Sequence, residues 1–219
     1  ADEVMEKGLS ALNAGEFKNH VENGALILDT REAQTYAKGS VPGSLNIGID
    51  GDFAVWLGTL VQKLDRPIVL ITDAGKEKEA VLRASRVGYD NVVGFLKGGF
   101  GTWRSAGEKV DSVESISAKE FASRRDEATI LDVRKPSEFE AEHVENAKSF
   151  PLDFINGSLD KLDRNKSYFV HCAGGYRSMI ASSILKTNGF NNIIEVAGGM
   201  DAIRDTKAPL TTYVCPSTL

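Results

Sequence analysis

The sequence contains two similar halves, and this duplication limits the folds that the chain can adopt. The segment "ALILDTREAQTYAKGSVPGSLNI" begins at residue 25, and "ATILDVRKPSEFEAEHVENAKSF" begins at residue 128. Further along, "RPIVLITDAGKEKEA" matches "KSYFVHCAGGYRSMI", and "GYDNVVGFLKGGFGTW" matches "GFNNIIEVAGGMDAI". A period of about one hundred residues is the size of a domain and is too long for a solenoid repeat. We therefore predict two tandem domains, 1–110 and 111–219.

Each half alternates short β-rich runs with longer helical patterns. Apolar strands separated by helices are typical of a parallel sheet that is covered on both faces. The fold class predicted for each half is therefore α/β, with a small parallel sheet flanked by helices. In the second half, Ser117 is the predicted N-cap of a helix, and Gly189 is expected to end another. The predicted strands and helices of this half are Thr129–Val133, Tyr168–His171, Ile193–Val196, 117–124, 136–142 and 178–188.

Composition excludes several classes of protein. Acidic residues outnumber basic ones, with a net charge of -5, which argues against a nucleic-acid partner. No apolar run approaches the roughly 20 residues that a membrane helix needs. Two cysteines, at positions 172 and 215, do not make a disulfide framework, so a reducing, cytoplasmic compartment is expected. The few histidines show no zinc-ligand spacing, and no metal is predicted.

Cys172 stands directly after a predicted strand, at the end of the sheet where α/β proteins form their sites. Backbone amides in the turn and the start of the next helix favour an anion there, and the Cys172 thiolate is the first anion available. Glycine permits the backbone angles that turn several amides toward one point. Cys172 is therefore the candidate nucleophile. The candidate substrate-binding residues that follow it are Ala173, Gly174, Gly175, Tyr176, Arg177 and Ser178.

The spacing within this loop favours sulfur over phosphate. Four residues separate Cys172 from Arg177, whose positive charge is expected to close the loop. Cysteine-dependent phosphatases have one residue more, because their ring of amides surrounds a tetrahedral phosphate. A tighter loop suits one extra sulfur on the cysteine, which is a persulfide. A phosphatase or an arsenate reductase is the less favoured alternative.

Neighbouring residues receive structural interpretations. Asp132 and Arg134 recur as Asp29 and Arg31 in the other half, which indicates a structural ion pair. His171 is adjacent to Cys172 on a strand, so it is expected to face the other way and not to act as a base. Further interpretations concern four residues: Ser178 as an N-cap, Tyr176 at the pocket mouth, His143 as structural and Cys215 as an inert tail thiol.

The stretches "LDVRKPSEFEAEHV", "CAGGYRS" and "GFNNIIEVAGGM" together resemble the rhodanese sulfurtransferases. The resemblance covers residues 115–204, and the first half is similar to the same family over residues 14–104. In "TDAGKEK" the first half has Asp73 where the nucleophile is expected, and a carboxylate cannot accept sulfane sulfur. The chain therefore resembles an inactive rhodanese domain followed by an active one. This order is similar to the C-terminal part of fusions with a metallo-β-lactamase-fold persulfide dioxygenase, and the absence of an initial Met fits a piece of such a fusion.

The resemblance implies a sulfur transfer that needs no cofactor. Cys172 attacks the outer sulfur of thiosulfate or of a low-molecular-weight persulfide such as glutathione persulfide, and a thiophilic acceptor then removes that sulfur. Two alternatives remain open. In the first alternative, the chain is a sulfur-relay or docking portion of a larger persulfide-oxidising enzyme. In the second, it is a non-catalytic interaction protein. The first would be fused to or associated with a metallo-β-lactamase-fold domain.

Overall fold

The structure is a computed structural model that describes residues 2–212. The chain divides into two compact units, and the division falls between Ser112 and Val113. This point lies two residues beyond the boundary predicted from the repeat. Each unit is described by itself below.

The first unit begins with a helix that has no counterpart in the second. Its helices are α1 (Asp2–Gly8), α2 (Ala14–Glu22), α3 (Ala33–Lys38), α4 (Phe53–Leu60), α5 (Glu77–Ser85) and α6 (Gly99–Ser105). Its strands are β1 (Ala11–Leu12), β2 (Leu26–Asp29), β3 (Leu45–Asn46), β4 (Ile68–Ile71) and β5 (Val92–Leu96).

The second unit repeats this order with two differences. Two short 3-10 helices, Leu152–Gly157 and Leu159–Lys161, stand in the place of α4, and a small antiparallel pair is added. Its helices are α7 (Ala118–Arg124), α8 (Pro136–Ala141), α9 (Tyr176–Thr187) and α10 (Gly199–Ile203). Its strands are β6 (Glu114–Ile116), β7 (Thr129–Asp132), β8 (Glu142–Val144), β9 (Lys148–Ser149), β10 (Tyr168–His171), β11 (Ile193–Val196) and β12 (Leu210–Thr212).

Within the described residues, each unit has a five-stranded sheet with the same strand order. The orders are β1-β5-β4-β2-β3 and β6-β11-β10-β7-β9, and all the pairings in these two sheets are parallel. The β8–β12 pair is antiparallel. The predicted α/β class, with a parallel sheet and flanking helices in each half, is confirmed.

Each sheet is covered by apolar side chains from its own helices. In the first unit Phe17, Phe100 and Trp103 pack with strand residues such as Val69. In the second unit Phe121 of α7 contacts Phe169 of β10 edge to face, with ring centroids 5.2 Å apart. The central strands β4 and β10 are buried along their whole length. These central strands therefore hold the loops that follow them in fixed positions.

The strand predictions are confirmed for β10 and β11, and the predicted β7 is one residue too long. Ser117 is the N-cap of α7, because its side chain accepts a hydrogen bond from the Glu120 amide. Gly189 follows α9 with a φ of 87°, as expected of a glycine that ends a helix. Within residues 2–212, none of the helices has the length and apolar character that would let it cross a bilayer.

Candidate active site

The candidate nucleophile lies where the central strand of the second unit ends. Cys172 follows β10 directly, and the chain reaches α9 only four residues later. β10 lies between β7 and β11, so residues at the carboxyl ends of all three strands surround the turn. This is the edge of a parallel sheet at which α/β proteins bind ligands.

The Cys172 thiol has hydrogen-bond partners on two sides. Its Sγ accepts a hydrogen bond from the Gly175 amide at 3.1 Å and donates one to the Ser178 hydroxyl at 3.4 Å. The residue is only 1% exposed, whereas Gly174 beside it is exposed. The sulfur therefore has little direct contact with solvent in this structure.

Gly175 sets the shape of the turn. It is the N-cap of α9 and has a left-handed backbone, with φ 106° and ψ -10°. This conformation favours glycine and turns the chain directly into the helix without a side-chain cap. The predicted helix start at Ser178 is therefore two residues too late, and the prediction that Ser178 is an N-cap is wrong. Ser178 is instead the third residue of α9 and is fully buried.

The start of α10 supports the loop from the neighbouring strand. The Met200 amide donates to the Cys172 carbonyl at 2.8 Å, and the Asp201 amide donates to the Ala173 carbonyl at 3.0 Å. Gly199 permits this approach, because a Cβ atom at that position would lie 2.3 Å from the Cys172 carbonyl oxygen. The carbonyls of Cys172 and Ala173 therefore point toward α10. This orientation is consistent with backbone amides on the opposite side of the loop.

Arg177 forms an ion pair within the unit. Its Nη1 and Nη2 donate to Glu138 Oε2 and Oε1 at 2.7 and 2.9 Å. Hydrogen bonds from Arg177 are the main cause that lowers the pKa of Glu138 to about 2, and Glu138 in turn raises the pKa of Arg177. The expected positive charge is therefore present beside the loop, but a carboxylate from α8 neutralises it. The sequence analysis did not foresee this pairing.

Ser178 links the thiol to a buried carboxylate. The Ser178 hydroxyl donates to Glu195 Oε1 at 2.9 Å, and the Ser115 hydroxyl donates to Glu195 Oε2 at 2.6 Å. Glu195 lies on β11 and is 0% exposed. The sequence analysis missed it, although a lone charge in the apolar run "NNIIEVAGG" is a signal that could have revealed it.

The other predicted loop residues have different degrees of exposure. Ala173 and Tyr176 are partly buried, and Tyr176 is the first residue of α9. Gly174 is exposed, and a Cβ atom added there would lie 3.7 Å from Asp201 Oδ2, which is an ordinary van der Waals contact. The structure thus places the seven predicted site residues in the turn and the first part of α9, and Cys172 Sγ contacts both Gly175 and Ser178.

Three of the four sites that received structural interpretations lie within the described residues: the Asp132–Arg134 pair, His171 and His143. Arg134 Nη2 contacts Asp132 Oδ2 at 2.7 Å, and both side chains are buried, which confirms the predicted ion pair. His171 is fully buried; its Nδ1 donates to the Cys172 carbonyl, and burial lowers the pKa of the imidazole. His143 stacks on Phe139 with ring centroids 3.9 Å apart. Cys215 lies outside the described residues.

The comparison with family models decides the classification. The model described as "Rhodanese-like domain" matches residues 13–106 and 117–206. The chain belongs to the rhodanese family. Both units are rhodanese domains, so the tandem arrangement inferred from the repeat is confirmed.

Individual relatives are similar to less of the chain. The uncharacterized protein YqhL of Bacillus subtilis is 29% identical over 87 residues, which are 40% of this chain and 69% of that protein. The putative sulfur carrier protein YrkF of the same organism is 31% identical over 96 residues, 42% of this chain and 52% of that protein. The match to a crystal structure of thiosulfate sulfurtransferase from Pseudomonas aeruginosa covers 94% of this chain and 44% of that chain, at 20% identity and a TM-score of 0.42. The chain therefore spans only about half to two thirds of these two curated relatives.

The first rhodanese domain has a different residue at the position of the candidate nucleophile. Strand pairing aligns Ile71 with His171, because they pair with Asp29 and Asp132 respectively. Thr72 is therefore the equivalent of Cys172. The prediction that Asp73 stands in place of the cysteine is wrong by one residue, and the ungapped match of "RPIVLITDAGKEKEA" with "KSYFVHCAGGYRSMI" also places Thr72 opposite Cys172.

The remaining equivalents follow from the same alignment. Gly75 retains the left-handed conformation of Gly175, with φ 85°. Glu77 and Lys78 occupy the positions of Arg177 and Ser178. Phe95 occupies the position of Glu195, since the two residues pair with Leu70 and Val170 of their central strands. The first rhodanese domain thus keeps the turn but lacks the thiol, the arginine, the serine and the carboxylate.

A separate cleft lies elsewhere in the second rhodanese domain. Its volume is about 500 Å³, and its lining includes Thr129 and Ser167 at the amino ends of β7 and β10. The thiol is at the opposite, carboxyl end of the same sheet. This cleft is therefore separate from the candidate site.

Proposed function

We propose that the second domain is a sulfurtransferase that carries sulfane sulfur as a persulfide of Cys172. The observation that supports this most is the contact between the Gly175 amide and the Cys172 sulfur, at 3.1 Å, in a loop that begins at the end of the central strand. An amide held in this way stabilises negative charge on sulfur without reorganising. Membership of the rhodanese family points to the same chemistry.

The proposed reaction has two displacement steps. The Cys172 thiolate attacks the outer sulfur of thiosulfate; a new S–S bond forms, the old S–S bond breaks, and sulfite leaves with its electron pair. A low-molecular-weight persulfide reacts in the same way and releases a thiolate. In the second step a thiophilic acceptor attacks the outer sulfur, and the thiolate of Cys172 is regenerated.

The first domain is proposed to be catalytically inactive. Thr72 replaces the thiol, and a hydroxyl group in that place cannot accept a sulfane sulfur under the same conditions, because an alcohol retains its proton at neutral pH. Its retained fold leaves it able to serve as a support or a docking module. The relatives' names do not describe such a division, so this assignment stands on the loop residues alone.

Transfer from thiosulfate to cyanide by the intact chain tests the proposal. We expect turnover by the wild type and none by Cys172→Ser, with unchanged circular dichroism. The matched control is Thr72→Ser, which changes the equivalent position of the first domain and is expected to leave turnover unchanged. Turnover by Cys172→Ser would overturn the proposal. Hydrolysis of a phosphomonoester by the wild type without sulfur transfer would favour the phosphatase alternative.

A further inference from the structure

Glu195 is a buried carboxylate that the proposed reaction does not use. It is 0% exposed and lies on β11, whose neighbouring positions are apolar. Burying a carboxylate costs several kcal/mol unless hydrogen bonds or a charge compensate it. The fold itself does not require a carboxylate at this position, because the first domain forms the same sheet with Phe95 there. Glu195 is therefore a candidate for a role in the site.

One side chain, that of Ser178, connects the thiol to this carboxylate. Cys172 Sγ donates to Ser178 Oγ at 3.4 Å, and Ser178 Oγ donates to Glu195 Oε1 at 2.9 Å. The chain of donors runs in one direction, from the thiol to the carboxylate. The three corresponding residues of the first domain are Thr72, Lys78 and Phe95, so the connection is absent there as a whole.

The geometry assigns Glu195 the role of internal proton acceptor for Cys172, acting through Ser178. The thiol proton passes to Ser178 Oγ while the Ser178 proton passes to Glu195 Oε1. The products are a thiolate and a carboxylic acid, so the charge of the site is unchanged and no bond between heavy atoms is altered. Ser178 then donates to the thiolate, Glu195 donates to Ser178, and every group keeps a hydrogen-bond partner.

Burial explains why an internal acceptor is useful here. Cys172 is 1% exposed, so direct transfer of its proton to bulk water is obstructed. Removing a proton from the site altogether would also leave two negative charges in a low-dielectric region, which is strongly unfavourable. Transfer of the proton along the two hydrogen bonds to Glu195 needs no contact with bulk water and leaves only one negative charge in the site. The inference rests on the proposed function, because it assigns the step that activates the nucleophile.

Other charged groups near the loop are already paired or neutral. Burial lowers the pKa of His171, which keeps the imidazole neutral. Glu138 is paired with Arg177 on the α8 side, and their opposite charges largely cancel. Two further ion pairs on neighbouring elements are Asp132–Arg134 and Asp201–Arg204. Glu195 is thus connected to the thiol by hydrogen bonds, whereas these carboxylates are held by arginines.

The pH dependence of thiol reactivity tests the inference. We would measure the rate at which iodoacetamide alkylates Cys172 in the intact chain, from about pH 6 to about pH 9, the range in which an ordinary thiol titrates. Mass spectrometry of the peptide containing residue 172 separates this thiol from Cys215. A proton shared within the site predicts a wild-type rate that is nearly independent of pH.

Glu195→Gln is the decisive variant, because an amide still accepts the Ser178 hydrogen bond but cannot take a proton. We expect its alkylation to be about tenfold slower near pH 7 and to rise with pH, since the thiol must then lose its proton to solvent. If Glu195 acted on Cys172 only by repelling its negative charge, Glu195→Gln should be alkylated faster than the wild type. A purely structural carboxylate predicts an unchanged profile, and either of these results would overturn the inference.

Ser178→Ala removes the connecting hydroxyl and is the second variant, in case Glu195→Gln does not fold. It should show the same pH-dependent profile as Glu195→Gln. If alkylation of Ser178→Ala stayed as independent of pH as that of the wild type, the result would count against the relay. Ser182→Ala is the matched control, because Ser182 is also buried in α9 and its hydroxyl has no hydrogen-bond partner within residues 2–212. Alkylation does not require sulfur transfer. Failure of the relay and failure of the proposed function therefore give different results.

Discussion

The two domains have the same strand order but differ in the loop that follows the central strand. Both loops contain a left-handed glycine before their helix, Gly75 and Gly175. In the second domain the Gly175 amide donates a hydrogen bond to the Cys172 thiol. In the first domain the residue equivalent to Cys172 is Thr72, which has no thiol. The comparison shows that the turn is common to both domains, whereas the loop thiol and the side chains that link it to Glu195 are present only in the second.

Moving the thiol between the domains should have the largest effect. The double variant Thr72→Cys/Cys172→Ser retains one loop thiol, but the loop around it has Glu77 and Lys78 in place of Arg177 and Ser178. We expect complete loss of transfer from thiosulfate to cyanide, because a carboxylate repels an anionic donor. The single variant Thr72→Cys is the control and should keep wild-type turnover. Substantial turnover by the double variant would show that the turn alone suffices.

The buried ion pairs should have equal structural effects in the two domains. Arg31–Asp29 and Arg134–Asp132 have the same closest distance, 2.7 Å, and all four side chains are buried. Arg31→Met and Arg134→Met should each lower the free energy of unfolding of their own domain by about 3–5 kcal/mol, because a buried aspartate is left unpaired. Urea unfolding of each variant measures this. A loss confined to Arg134→Met would instead indicate that its pair serves the site.

Substitution of the first glycine of α6 should have a smaller effect than substitution of the first glycine of α10. Gly99 and Gly199 both have positive φ, but an added Cβ atom would lie 3.0 Å from the Thr72 carbonyl oxygen and 2.3 Å from the Cys172 carbonyl oxygen. Gly99→Ala should cost about 1–3 kcal/mol of stability through backbone strain. Gly199→Ala should cost more and also reduce turnover, because the loop must shift. Thermal unfolding and kcat measure the two effects, and equal behaviour would contradict this account of the support.

The Glu138–Arg177 pair should have the smallest effect, since the first domain has Thr35 and Glu77 at these positions. The pKa of Glu138 is lowered to about 2, chiefly by hydrogen bonds from Arg177. A lowered folded pKa means that the stabilisation is present above the ordinary pKa of about 4.3 and is lost as the pH falls toward about 2. Glu138→Gln should therefore lower stability by about 1 kcal/mol at neutral pH, a small value because the pair is partly exposed.

Urea unfolding at several pH values checks this last prediction. The difference between wild type and Glu138→Gln should shrink as the pH falls below about 4.3. Glu140→Gln, an exposed position on the same helix, is the control and should show no comparable change. A difference that persists unchanged at about pH 2 would show that the ion pair does not cause it.

Much of the fold could be predicted because the chain presents it twice. The apolar runs of β10 and β11 follow the polar residues Ser167 and Asn192 and end before glycine-containing loops, and their limits were predicted to the residue. The start of α9 was missed because it depends on the backbone angle of Gly175, which the letters alone do not specify. The first-domain equivalent of Cys172 was misplaced although the sequence contains it, since residues 66–80 and 166–180 align without a gap and place Thr72 opposite Cys172.

The side-chain network of the site was harder to predict than its turn. All seven loop residues were identified from one contiguous stretch around Cys172. Their partners come from other elements: Glu138 is 39 residues from Arg177 in sequence, and Glu195 is 17 residues from Ser178. Such pairings depend on how α8 and β11 pack around the loop, which no local pattern of residues reveals.

Mass spectrometry after treatment with thiosulfate or glutathione persulfide tests the central claim most directly. The account predicts a gain of one sulfur on the peptide that contains residue 172, its removal by cyanide, and no gain on the peptide that contains Thr72. The absence of any added sulfur on the Cys172 peptide, or the same gain in the Cys172→Ser variant, would contradict it.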